Sequence, residues 1–242
     1  MKKIGKLVIL TFICSLCMLG VTEASAKEAY FTNNNGVSLT KEEYDFFAEM
    51  YWDGFQDIMT QKQYNIFNDG GYFGHEIESK TVYDTPLTRG TEHSTANKSI
   101  TISKVCNSDC AITVYVKWIN NPAIRSYDVI GAYLYNVSRT GVLDTFATAT
   151  GGTANAAGTK TQTKGFGTSI KIPSGSNLRV TQTFTTTKGG HIYASYQHAA
   201  KESSLAISQQ FDISVAGFGS VFEFYGDAYN IYDRMNGVDI AV

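Results

Sequence analysis

Val105-Cys106-Asn107-Ser108-Asp109-Cys110-Ala111-Ile112-Thr113-Val114-Tyr115-Val116-Lys117-Trp118-Ile119 is the stretch on which the fold turns. Two cysteines flank three residues of turn chemistry. Beyond them Ile112, Val114, Val116 and Trp118 alternate with Thr113, Tyr115 and Lys117. A period of two with β-branched and aromatic residues on one side predicts a half-buried strand leaving a stapled hairpin.

Working outward, the same alternation recurs downstream. Residues 99–106, 127–137, 142–150, 166–172, 178–186, 191–198, 205–215 and 218–225 read as further strands. Asn120-Asn121-Pro122, Pro173-Ser174-Gly175 and Gly189-Gly190 supply turns between them. Residues 151–160, rich in Gly, Ala, Thr and Asn, read as a loop. Residues 227–236 read as one or two helical turns, and 238–242 as an edge strand. No crossover helices separate the strands, so an α/β fold is excluded. The expected class is mainly β, an antiparallel β-sandwich of about nine strands over residues 99–242.

Upstream the period changes to that of a helix. Thr40-Lys41-Glu42-Glu43 has the form of a capping box, and Tyr44, Phe47, Ala48, Tyr51 and Phe55 then make one aromatic face, with Glu42, Glu49 and Asp53 off it. Thr60-Gln61-Lys62-Gln63 repeats the cap, and Asn68-Asp69-Gly70-Gly71 ends a second helix. Residues 27–70 are thus an αα-hairpin. Its aromatic side either packs on the sheet or serves as a separable docking or pro-segment. Residues 71–98 read as a linker with short strands, the stretch 84–97 being a loop.

The first 26 residues have the pattern of an export signal. Lys2, Lys3 and Lys6 precede an apolar run from Leu7 to Leu19, and Ala24-Ser25-Ala26 offers small residues for cleavage between Ala26 and Lys27. A retained helical anchor is the alternative, although the run is short for a membrane span. Neither Cys14 nor Cys17 has the preceding small residues that lipoprotein processing needs. Removal of the segment lowers Lys plus Arg from 20 to 17 and Asp plus Glu from 22 to 21, which leaves 216 residues with a net charge of −4. So weak an acidic balance gives no electrostatic case for nucleic acid or anionic lipid.

Cys106 and Cys110 are the two cysteines that remain, and an oxidising compartment predicts a disulfide between them. Closing so small a loop stabilises by roughly 2 kcal/mol, so its main effect is on strand register. A redox or metal role lacks a helix N-terminus in the first case and His or Cys partners in the second.

No constellation with catalytic chemistry emerges. His191 and His198 are seven apart, so in a strand their rings face opposite sides, one buried and one exposed. His75 and His93 have no ligand-spaced neighbours. Ser195 lies mid-strand, not at a nucleophile elbow. Asp128, Asp212, Glu223 and Asp239 are too dispersed to pair for acid and base work. Asp227, Asn230, Asp233, Asn236 and Asp239 recur every three residues and leave calcium open beside a turn or capping role. No other cofactor is implied. The 15 Tyr and 2 Trp offer stacking faces for sugar, but most alternate toward the core.

Two functions stay open. The first is a secreted, non-enzymatic binding protein for an extracellular or cell-surface ligand. The second is a membrane-active toxin, in which Phe146 to Thr150 and Thr161 to Phe166 form a small-polar hairpin around 151–160 and line a membrane barrel.

Asn33-Asn34-Asn35-Gly36-Val37-Ser38-Leu39-Thr40-Lys41-Glu42-Glu43-Tyr44, Met50-Tyr51-Trp52-Asp53-Gly54 and Met59-Thr60 resemble segments of one group of sequences. Ser126-Tyr127-Asp128-Val129-Ile130-Gly131, Ala194-Ser195-Tyr196-Gln197-His198-Ala199 and Asn236-Gly237-Val238-Asp239-Ile240 resemble the same group. It is an uncharacterised family of small secreted proteins of Gram-positive bacteria, and the likeness covers most of the mature chain. The resemblance implies an exported bacterial protein and carries over no site residue.

Overall fold

A computed structural model of the chain describes residues 28–52, 54–83, 98–122, 125, 127–199, 211–216, 220–224, 232–233 and 237–242. The export segment 1–26 with its Ala26–Lys27 boundary, and the loop 84–97, lie outside the described residues.

Among the described residues the fold is mainly β and antiparallel, with two short α-helices. A small ladder of β1 (Phe31–Thr32) and β2 (Ser38–Leu39) leads into α1 (Lys41–Met50), a 3-10 turn (Phe55–Ile58) and α2 (Gln61–Gly70). There follow β3 (Ile77–Tyr83), β4 (Lys98–Cys106), β5 (Cys110–Trp118), β6 (Tyr127–Tyr135), β7 (Asp144–Ala149), β8 (Gly152–Gln162), β9 (Gly165–Lys171), β10 (Arg179–Thr186) and β11 (His191–Ala199). The chain ends with β12 (Phe211–Ala216), β13 (Ser220–Phe224), β14 (Tyr232–Asp233) and β15 (Val238–Ala241).

One eleven-stranded sheet carries the order β14-β11-β6-β9-β8-β7-β10-β5-β4-β3, with β15 also on β11. It doubles over on itself at β8. Gly152 to Asn155 pair with β7, and from Ala156 onward the strand pairs with β9, with a register shift between Ala156 and Gly158. Facing side chains from the two halves then meet: Trp118 lies 6.3 Å from Tyr196, and Phe166 lies 4.7 Å from Phe184. Ile112, Val114, Val116 and Trp118 all enter this core, as their alternation requires. Gln182 enters it too, and its amide donates to Thr145 Oγ1 and Thr168 Oγ1 at 3.0 and 3.1 Å.

The helices begin where the sequence has its caps. Thr40 Oγ1 accepts from the Glu43 amide while the Glu43 carboxylate accepts from the Thr40 amide, and Thr60 with Gln63 does the same. Gly71, at φ 64°, closes α2 in the left-handed conformation that glycine tolerates. The aromatic face does not stay free. Phe47, Tyr51, Phe55, Phe67 and Tyr72 form a second core with Ala111, Tyr115 and Phe146 on the outer side of the sheet. Polar pins hold it there: Tyr51 Oη with Thr183 Oγ1 at 2.9 Å, Gln63 Nε2 to Thr181 Oγ1 at 2.9 Å, and Arg179 Nη1 to the Gly54 carbonyl at 3.0 Å.

Several expectations need correction. The strand after the stapled turn is not half-buried: Thr113 and Tyr115, its outward residues, are covered by the helical pair. Residues 151–160 are not a loop but most of β8, because a strand that bends from one half-sheet to the other favours small residues and a bulge over bulky β-branched ones. The membrane hairpin around that loop therefore does not exist in this form; Phe146 registers with Asn155, and Gln162 and Gly165 close a separate β8–β9 turn. Within 227–236, Tyr232 and Asp233 form a strand against β11 rather than a helical turn. The short strand expected within residues 71–98 is β3, and it is no stray piece of linker: it pairs with β4 along its whole length. Of the strand expected over 205–215, residues 205–210 lie outside the described residues.

Candidate functional site

Two polar constellations stand out, one sealed and one open. The sealed one forms where β6 begins and β11 ends. Antiparallel register sets Gln197 opposite Val129, which brings Asp128 beside Tyr196 and His198. Tyr196 Oη donates to Asp128 Oδ2 at 2.5 Å, and His198 Nδ1 lies 2.9 Å from the same oxygen. The ring nitrogen turned to the carboxyl group is Nδ1, which lies 3.0 Å from Oδ1 as well. The His198 ring meets Trp118 edge-on at 4.8 Å, and Lys98 Nζ lies 5.0 Å over the same indole. Asp128, His198 and Lys98 are all at 0% exposure. A pair so enclosed ties the start of β6 to the end of β11.

The open constellation lies along α1. Glu42, Asp45, Glu49 and Trp52 follow one another at helical spacing, and they border a groove whose opposite wall is the start of β3. One part of it, about 660 Å³, is floored by Phe46 and Phe73, whose rings stand 5.0 Å apart, and bordered by His75. Glu49 and Ile77 continue it into a second part of about 360 Å³ beside Trp52, Ser79, Thr81 and Thr101. Trp52 is 54% exposed, which for an indole beside a groove is a large unspent apolar face. Hydroxyl pairs line the far wall, Ser79 with Ser103 at 2.7 Å and Thr81 with Thr101 at 2.8 Å. Asp45 is paired with Lys41, but among the described residues neither Glu42 nor Glu49 takes part in an ion pair. Carboxylates beside an exposed indole suit a cation, by charge and by cation–π contact.

The other residues singled out from sequence fall as follows. Cys106 and Cys110 form the disulfide. His198 is buried and His191 is 45% exposed, on opposite sides of β11. Ser195 is buried in register with Gly131, away from any open surface. Asp212 and Glu223 are opposite one another in the β12–β13 ladder. Asp239 pairs with Lys80 at 2.7 Å. His93, Asp227, Asn230 and Asn236 lie outside the described residues, and among those described no group of three or more His, Cys, Asp or Glu is set to hold a metal.

Sequence reading missed the Asp128–His198 contact because 70 residues separate the partners. The groove was half legible. Glu42 and Glu49 are off the aromatic face by period alone, and the extension to Trp52 was available in the same count.

No protein-family model matches the chain, and no curated protein matches it. Among solved structures it is similar to the collagen-binding domain of Erysipelothrix rhusiopathiae surface protein RspB, at 12% identity and a TM-score of 0.31. The overlap takes in 68% of this chain and 59% of that one, and so loose a likeness carries no functional argument.

Proposed function

We propose that this chain is an exported, non-enzymatic binding protein of the β-sandwich class, and that its groove between α1 and β3 holds an extended cationic segment of an extracellular or cell-surface partner. The observation that carries this reading is the run of Glu42, Asp45, Glu49 and Trp52 along one side of an open groove. Export is supported by the basic and apolar start of the sequence, by a disulfide of the kind oxidising compartments allow, and by the resemblance to secreted Gram-positive proteins. Among the described residues no helix is long and apolar enough to cross a membrane.

The groove supplies the parts that such recognition uses. Ten residues of helix advance about 15 Å, the span of four or five extended residues. Carboxylates along that length pair with Lys or Arg side chains, the indole covers one cation, and the Phe46–Phe73 floor takes an apolar side chain between them.

Calorimetric titration with a Lys- and Arg-containing octapeptide, a neutral peptide of equal length and a neutral oligosaccharide tests the reading. The basic peptide is expected to bind saturably and more weakly as salt rises. Glu42→Lys with Glu49→Lys is expected to weaken it by roughly 10–100-fold, since each partly exposed pair contributes up to about 1 kcal/mol and reversal adds repulsion. Binding of the oligosaccharide in place of the basic peptide, or an affinity indifferent to the reversal, contradicts it.

A further inference from the structure

The stapled turn does more than join two strands. Cys106 and Cys110 face one another in the β4–β5 register, and between them the Asn107 amide donates to the Asp109 carbonyl at 2.8 Å. Asn107 and Asp109 bond outward to two parts of the fold, the end of α2 with Tyr72 and the segments of Thr140 and Lys188. Asn107 Nδ2 donates to the carbonyls of Gly70 and Gly71 at 3.2 and 3.3 Å, the end of α2 where helical carbonyls have no partner of their own. Asp109 Oδ1 accepts from Tyr72 Oη. Asp109 Oδ2 accepts from Thr140 Oγ1 at 2.8 Å, and Lys188 Nζ donates to the Asn107 carbonyl.

We infer that the Cys106–Cys110 bond is a redox-sensitive lock on the docking of the helical pair. Two side chains that each neighbour a cross-linked cysteine take their direction from the closed ring. With the ring closed, Asn107 and Asp109 are held aimed at the end of α2 and at Tyr72. With the ring open, Asn107-Ser108-Asp109 gains backbone freedom while the nine-residue β4–β5 ladder persists, so the clamp loosens and the sheet does not.

The opening step needs an external dithiol. Its first thiolate attacks the sulfur of the partly exposed Cys106, forming a mixed disulfide and expelling the Cys110 thiolate, which takes up a proton. The second thiol of the reagent then closes on the first as a cyclic disulfide and releases Cys106 as a thiol. The protein gains two electrons and two protons, and the reagent loses both.

Hydrogen exchange followed by mass spectrometry on the mature chain, oxidised and after treatment with a small dithiol, reads the lock. The Gly71 and Tyr72 amides bond back to Asn68 and Phe67 and report the end of α2. Reduction is expected to speed exchange across residues 68–73 about tenfold, and within the opened turn 107–109, while leaving the ladder residues 98–105 and 111–118 unchanged. Asn107→Ala with Asp109→Ala, disulfide intact, is expected to reproduce that acceleration. Unchanged exchange at 68–73 on reduction, acceleration of 68–73 together with the ladder residues 98–105 and 111–118, or a double variant that exchanges like the parent each overturns the inference.

Discussion

Asp128 and His198 are 70 residues apart in sequence, yet His198 Nδ1 lies 2.9 Å from Asp128 Oδ2 with both side chains out of reach of solvent. Tyr196 donates to the same carboxylate, so one acid organises the junction of β6 and β11. Asp128→Ala leaves a buried imidazole and a buried phenol without their acceptor. The expected cost is about 3 kcal/mol or more, a fall of roughly 6–12 °C in Tm for a chain of this length. Thermal melts followed by circular dichroism check it, and Asp128→Asn, which keeps a carbonyl acceptor, is expected to lose less.

Alkaline pH is expected to destabilise the helical pair. Burial, then the hydrogen bond to Glu43, pushes the Tyr64 hydroxyl up to about 12, and burial also raises Tyr51 and Tyr72. An unfolded tyrosine ionises near pH 10. The folded chain therefore holds protons that the unfolded chain releases, and this stabilisation is complete below about pH 10 and lost as pH rises from there toward 12. Urea unfolding between pH 9 and 11.5 should show the decline, and Tyr64→Phe should make it shallower.

Gly131 of β6 lies opposite Gly167 of β9. A Cβ there meets the Phe166 carbonyl oxygen at 2.2 Å and Gly167 Cα at 2.7 Å, both backbone atoms that move only if the strands part. Gly131→Ala is expected to cost about 2–3 kcal/mol by overpacking. Chemical denaturation measures it, and a neutral result would mean the two strands sit farther apart.

Phe47 and Trp52 are five residues apart and predict opposite outcomes. Phe47 is fully buried among Phe46, Tyr51, Tyr64, Phe67 and Phe73, so Phe47→Ala is expected to cost about 3–5 kcal/mol. Trp52 is more than half exposed, so Trp52→Ala is expected to shift stability by no more than about 0.5 kcal/mol while abolishing most peptide binding. Paired melts and titrations on the two variants separate packing from recognition.

What the sequence disclosed followed from local rules. The alternation from Ile112 to Trp118, both capping boxes, the Cys106–Cys110 pair and the opposed faces of His191 and His198 depend on neighbours within a few residues. The features it concealed depend on distant partners. Tyr115 looks outward by period and is buried only because Phe55 and Tyr51 arrive from the helices. Residues 151–160 look like a loop because the bend of β8 selects small side chains. The groove shared this fate: its acids were countable on α1, but its wall of Ile77, Ser79 and Thr81 came from a stretch that reads as linker.

Chemical-shift mapping of the isotopically labelled mature chain, titrated with the basic octapeptide, tests the binding site most directly. Saturable shifts confined to residues 42–52 and 73–81, lost on adding salt, are the predicted result. Saturable shifts on another face, or none at millimolar peptide, would contradict a cation-binding groove between α1 and β3.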